Sequence, residues 1–226
     1  MQDFTPIQIL KGKLLSLENI DVYGIEGESS CEWGYGTAFG MVVNAASHLS
    51  GPSGEFLLKQ GTYFVSTGPA VLQGGTALLI CLPNYIGLNQ IGGPLEKAGR
   101  LRYMDGCTDT LLVCPPRRGE PSLNHLHIPI GTKQTSHFHE SVRMGVIVSG
   151  RGRCHTRTDA YDLVPGMAWY IPAGVWHSFV TGDESLDVIA WHPDSVFGPT
   201  DQLHPMILGT HIDTCKIEVR DDVAAG

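Results

Sequence analysis

The chain of 226 residues has no run of about 18 consecutive apolar residues, so no segment is expected to cross a membrane as a helix. It is short of positive charge. Its 15 Lys and Arg against 23 Asp and Glu give a formal net charge of −8, which weighs against nucleic acid or an anionic membrane as the main partner. The opening residues, MQDFTPIQILKGKLL, lack the basic start, apolar stretch and small-residue cleavage site of an export signal. The six cysteines (Cys31, Cys81, Cys107, Cys114, Cys154, Cys215) include no CxxC pair. Without an export signal, free thiols in a reducing cytoplasm are the expectation. There is no GxGxxG opening a helix, no phosphate loop, no GxSxG elbow and no HExxH helix. Helical periodicity is weak throughout, and its best candidate is the short stretch 94–102.

What remains points to strands. Charged residues make up only 17%, while Gly (28) and Pro (14) are frequent, a composition that suits short strands joined by tight turns. Leu78–Leu82, Met144–Ser149, Ala168–Ile171 and Asp187–Trp191 read as such strands. The expected fold class is all-β, a sandwich or barrel that includes the jelly-roll type.

The chain also repeats itself at an offset of 105 residues. Gly40–Val43 falls on Gly145–Val148, Phe56 on Tyr161, Leu58 on Leu163 and Gly61 on Gly166, with no gap. Two lobes follow, 1–118 and 119–226, with the Pro- and Arg-rich 115–121 stretch as their connection.

Three histidines carry the chemistry. His137 and His139 are two apart, so on an extended strand both imidazoles share a face, and His177 follows a turn built on Pro172 and Gly174. Three converging imidazoles would half-fill a metal's coordination sphere and leave room for substrate. At the repeat offset His137 meets Glu32, His139 meets Gly34 and His177 meets Leu72, so the first lobe repeats none of them.

These stretches resemble the two signature motifs of the cupin superfamily, G(x)5HxH(x)3-4E(x)6G and G(x)5PxG(x)2H(x)3N. Gly131, His137, His139 and Gly150 match the first. Gly166, Pro172, Gly174 and His177 match the second, with Thr181 in place of the final Asn. The resemblance implies a double-stranded β-helix (jelly-roll) fold, two barrels in tandem, with the metal motif retained only in the second lobe. It also implies a divalent metal on His137, His139 and His177, with Fe(II) favoured and Zn, Mn or Ni as alternatives. A homodimer and a small-molecule substrate complete the expectation.

The sequence departs from the motif at its glutamate position, which Arg143 occupies. A guanidinium cannot ligate a metal. On a regular strand Arg143 faces inward beside the histidines, where it would hold a substrate carboxylate. On a bulged strand it points away and makes a structural ion pair. Glu140 has the wrong parity to ligate on a regular strand. His125 and His127 form a second HxH that either lines the pocket or faces the surface between the lobes. Tyr170, Phe179 and Trp191 are further candidates for the pocket wall. The tail residues Asp201, His204 and His211 have no geometric tie to the site.

Cupins that lack the glutamate ligand include three-histidine dioxygenases, so the first functional expectation is a non-haem iron dioxygenase of a small organic acid. The second is a Zn-, Mn- or Ni-dependent isomerase, lyase or hydrolase of a sugar or keto acid, with His125, His127 or Tyr170 as conceivable bases. The third is a non-enzymatic small-molecule-binding cupin.

Overall fold

Alternation of side chains along the strands sorts the apolar residues into three cores. The computed structural model describes residues 3–211, and among them there is no α-helix. The first-half strands are β1 (Thr5–Gln8), β2 (Gly12–Leu17), β3 (Ile20–Trp33), β4 (Thr37–Asn44), β5 (Ser47–Gly51), β6 (Gly54–Leu58), β7 (Tyr63–Thr67), β8 (Ala70–Leu82) and β9 (Gln90–Gly92). The second half holds β10 (Leu101–Arg102), β11 (Thr108–Val113), β12 (Ser122–Ile128), β13 (Arg143–Gly150), β14 (Gly152–Thr156), β15 (Ala160–Leu163), β16 (Met167–Ile171), β17 (His177–Val180) and β18 (Leu186–His192).

They build two antiparallel jelly-roll barrels in tandem. The first has the sheet order β2-β3-β8-β4-β7-β9, with the β5–β6 hairpin paired to β8. The second has the order β1-β16-β13-β18-β12-β11-β10, closed by β15-β14-β17. The strand pairing repeats at the offset seen in the sequence. Leu49 pairs with Phe56 as Cys154 pairs with Tyr161, and Gly40 pairs with Phe64 as Gly145 pairs with Trp169. After β16 the registers diverge. Gly40 pairs with Leu79 but Gly145 with Ala190, because the continuous β8 of the first barrel is split into β17 and β18 in the second.

The sheets do not divide at residue 118. Thr5–Gln8 pairs with β16 at one edge of the second barrel, and Leu101–Arg102 and Thr108–Val113 form its other edge. The Pro-rich stretch is the turn between β11 and β12. A turn and a linker look alike in sequence, since both avoid ladder hydrogen bonds. The 94–102 stretch is not helical. It runs irregularly into β10, and only a 3-10 turn, Met104–Gly106, follows.

One core joins the barrels. Phe39, Met41 and Val43 of β4 and Leu78 and Ile80 of β8 pack with Met144 and Val146 of β13 and Ile189 and Trp191 of β18. The second core fills the first barrel with Ile25, Phe64, Leu72 and Leu79, and Leu72, paired with Leu49, stands where Phe179, paired with Cys154, stands in the second barrel. The third lies inside the second barrel, around Ile147, Val188, Trp169 and Phe179.

Gly145 has no room for a side chain. A Cβ there would sit 1.9 Å from the Ile189 carbonyl oxygen and 3.0 Å from Trp169 Cζ2. Gly145→Ala is therefore expected to destabilise the protein by about 3 kcal/mol, since backbone must move to admit the methyl group. Urea unfolding measures it, and a change under about 0.5 kcal/mol, the range of ordinary surface substitutions, would contradict the packing described.

Candidate metal centre and pocket

The three histidines converge, though not by strand alternation. His137 and His139 lie in the irregular 129–142 segment. An isolated bridge ties His137 to His177, with each backbone N–H donating to the other's carbonyl at 2.9 and 2.8 Å. Gly174 N–H donates to the His139 carbonyl at 2.8 Å, which anchors that residue against the Pro172–Gly174 turn. The ring centroids are separated by 4.6 Å (137–177), 5.1 Å (137–139) and 5.2 Å (139–177). The potential ligand nitrogens all lie within 4.8 Å of one another.

Both resolved tautomer contacts favour a metal on the same side. Nδ1–H of His137 donates to the Thr135 carbonyl and Nδ1–H of His177 to the Val175 carbonyl, each at 2.9 Å. Each bond leaves Nε2 free as a ligand. Burial, followed by the positive Arg143 and the other two imidazoles, pushes the His139 pKa down to about 3. Burial, partly offset by the Val175 carbonyl and reinforced by His137 and Arg143, pushes His177 down to about 4. At neutral pH these two imidazoles are uncharged, the state that binds a metal. This donor set fits a first-row divalent ion. Glu140 is exposed and outside the cluster.

The histidines open onto a cavity of about 260 Å³ inside the second barrel. Its walls are mainly Leu126, Trp169, Ile171, Phe179, Val188 and Ala190. Arg143, the first residue of β13, lines it too. Its Nη1 donates to the Ser141 carbonyl, the Ser141 hydroxyl and the Val142 carbonyl, while its Nε is buried with no partner. Arg143 reaches Asp194 only through the Ser141 hydroxyl. Of the two orientations left open by the sequence, the structure has the inward one.

Several wall candidates lie elsewhere. Tyr170 and Trp191 are on the opposite face of their strands, in the core between the barrels, where Trp191 meets Phe39 with ring centroids 6.1 Å apart. Their neighbours Trp169 and His192 line the pocket instead. His125 and His127 also face away from it. Their ring N–H groups donate to one oxygen of Asp187 at 3.0 and 2.8 Å, and Ser149 donates to the other at 2.6 Å. Asp201 pairs with Arg117 at 3.4 Å, and Asp201, His204 and His211 are exposed.

His192 was legible from the alternation Val188, Ala190, His192 along β18. Burial, with Arg143 and His139 beside it, pushes its pKa down to about 3. Leu101, Tyr103, Asp109 and Asn124 also line the pocket. A lobe boundary at 118 hides the first three of these, because it excludes their segment from the barrel.

Asp187 gives a stability prediction. Burial opposes its ionisation, but hydrogen bonds from His125, Ser149 and His127 outweigh that and hold its pKa below the ordinary carboxylate value. The stabilisation is therefore present above the unfolded-state pKa and lost as pH falls through the lowered one. Asp187→Asn is expected to cost about 2 kcal/mol at pH 7 and to flatten the acid limb of a stability–pH curve. Unfolding midpoints of both proteins from pH 3 to 7 check it, and parallel curves would contradict it.

Residues 124–192 match the family model described as cupin domain. No curated protein sequence matches the chain. In fold the chain is similar to a cupin 2 conserved barrel domain protein from Leptotrichia buccalis, at TM-score 0.60 and 12% identity over 84% of this chain and 89% of that one. It is likewise similar to protein Ylba from E. coli, at TM-score 0.60 and 14% identity over 88% and 93%. A third similar structure is a salicylate 1,2-dioxygenase from Pseudaminobacter salicylatoxidans, at TM-score 0.58 and 11% identity over 77% and 70%. The matched segment lies in the second barrel, and the similar structures share the fold of the chain. No helix among the described residues is long and apolar enough to cross a membrane.

Proposed function

We propose that the protein is a metal-dependent cupin enzyme, most specifically a three-histidine non-haem iron dioxygenase acting on a small organic acid. In this reading the metal motif belongs to the second barrel alone, and the first barrel is structural. The observation that carries it is the convergence of His137, His139 and His177, with ligand nitrogens within 4.8 Å, on a pocket that also receives Arg143. Iron(II) held there would supply open coordination positions and reactivity toward dioxygen. The similar salicylate dioxygenase fold is consistent with such chemistry.

The chain's own residues would bind and orient the acid. The unpartnered Nε of Arg143 is a buried donor suited to a carboxylate oxygen, and a guanidinium that pairs with a carboxylate fixes its direction as well as its position. Trp169, Ile171, Phe179 and Val188 would exclude water around the carbon skeleton. The volume of about 260 Å³ lies below the 300–1,000 Å³ of sites for drug-sized ligands, roughly the scale of an acid with about ten heavy atoms. The bases that an isomerase, lyase or hydrolase reading would call on, His125, His127 and Tyr170, point away from this pocket.

An oxygen electrode tests the reading. Iron-loaded protein screened against small acids, diketones and thiols is expected to consume one dioxygen per substrate turned over. Turnover that continues under strict anaerobiosis would replace it with Lewis-acid chemistry.

A further inference from the structure

We infer that the pocket takes a small zwitterion, an acid whose carboxylate lies at Arg143 and whose protonated amine lies at Asp109 and Asn124. The inference names the substrate class of the proposed site and rests on that reading for the carboxylate end.

The inward-facing positions of the barrel wall fix the layout. Neighbouring strands run in the order β13, β18, β12, β11. Gly145 pairs with Ala190 and Ala190 with Asn124, while Val188 pairs with Leu126 and Leu126 with Asp109. Arg143 thus stands on one side of the floor, and Asn124 and Asp109 stand two and three strands away. At roughly 4.8 Å per strand and 3.3 Å per residue, with Asn124 two and Asp109 four residues along from the level of Arg143, the backbones are about 12 and 19 Å apart measured along the sheet, gaps that the barrel's curvature and the side chains shorten. Between them the floor carries Ala190, and Trp169 packs over Gly145. Apolar Leu126 and Val188 flank the gap, as the carbon skeleton of a short ligand requires.

The two ends have opposite unmet needs. At Arg143 a buried donor, Nε, has no acceptor. At the far end Asn124 Nδ2 donates to Asp109 Oδ1 at 2.7 Å, and Asn124 Oδ1 is buried with no donor. Burial raises the Asp109 pKa, an effect that the Asn124 bond opposes, and Arg102 of the paired strand β10 lines the same pocket without pairing with Asp109. Orphaned buried polar atoms are costly, and three belong to residues that line this cavity, the donors Arg143 Nε and Trp169 Nε1 and the acceptor Asn124 Oδ1, which suits a ligand with an acceptor at one end and a donor at the other. An ammonium offers three donors and a charge, enough for the carboxylate and the amide oxygen together. A hydroxyl offers one donor and satisfies one of them.

The test is calorimetric titration of metal-loaded protein with matched acids: glycine and acetate, β-alanine and propionate, 4-aminobutyrate and butyrate, 5-aminovalerate and valerate, and 4-hydroxybutyrate. For at least one spacing the amino acid is expected to bind tenfold or more tightly than its deaminated partner. Asp109→Asn should bring that ratio near one while leaving the plain acid within about twofold. Asn124→Asp, which adds a second carboxylate at nearly constant volume, should raise the ratio and guards against a fold lost in the first variant. A ratio near one at every spacing, no binding by any amino acid, equal binding of 4-hydroxybutyrate and 4-aminobutyrate, or a ratio that survives in Asp109→Asn would each overturn the inference. Metal content and oxygen consumption measured on the same samples keep the two claims apart. Loss of the amine preference with metal and oxygen uptake intact overturns this inference alone, and an intact preference without oxygen uptake overturns the dioxygenase reading alone.

Discussion

Alanine at both His137 and His177 is expected to abolish metal retention and turnover while leaving the protein folded. Two of the three imidazoles in the cluster disappear, and a lone histidine holds a divalent ion weakly in water. Changes to residues that merely orient ligands already cost 10–100-fold in metal affinity, so loss of two ligands should cost roughly a thousandfold or more. The fold should persist because the bridge between positions 137 and 177 is made by backbone N–H and carbonyl groups, which alanine retains. Elemental analysis, oxygen uptake and circular dichroism on the double variant check the three parts. A folded double variant with wild-type metal content would move the metal elsewhere and remove the basis of the proposed function.

Replacing Arg143 by leucine is expected to separate substrate binding from metal binding. The guanidinium lines the pocket and is no ligand, so metal per chain should stay at the wild-type level. An acidic substrate should lose a charge-assisted pairing and face an apolar wall in its place. A charged hydrogen bond is worth about 1.5–3 kcal/mol, so KM should rise roughly 10- to 100-fold, with a smaller effect on kcat. Arg143→Lys should recover part of the loss, because it keeps the charge and forfeits the planar fork. Steady-state oxygen uptake against substrate concentration measures both constants. An unchanged KM in Arg143→Leu would show that the side chain serves the β13 entry alone, through its bonds to Ser141 and Val142.

Much of this site was legible in the sequence. The offset of 105 residues reappears as strand register, because a hairpin's pairing follows from its turn and its alternating apolar residues, both local features. The convergence of His137, His139 and His177 was readable as a motif but not as geometry. Parity on a strand was the wrong reason, since the segment holding His137 and His139 is irregular and is positioned by long-range backbone bonds to His177 and Gly174.

What escaped was long-range pairing. No local signal shows that Thr5–Gln8 joins β16 across some 160 residues, or that Thr108–Val113 belongs to the second barrel. That omission hid Asp109 and left the pocket without its acidic end. Tyr170 and Trp191 were misplaced for a different reason. Both faces of β16 and β18 are buried, one in each core, so aromatic residues are expected on either side and hydrophobicity alone cannot choose. The alternation that links Trp169 with Ile171, and Ala190 with His192, did hold the answer.

The central claim is that His137, His139 and His177 hold one metal ion, and the metal content of freshly purified protein tests it most directly. Elemental analysis is expected to find close to one ion per chain, iron foremost, or one ferrous ion per chain after anaerobic reconstitution. No bound metal in either preparation would contradict the account and leave the second barrel a binding pocket without a metal centre.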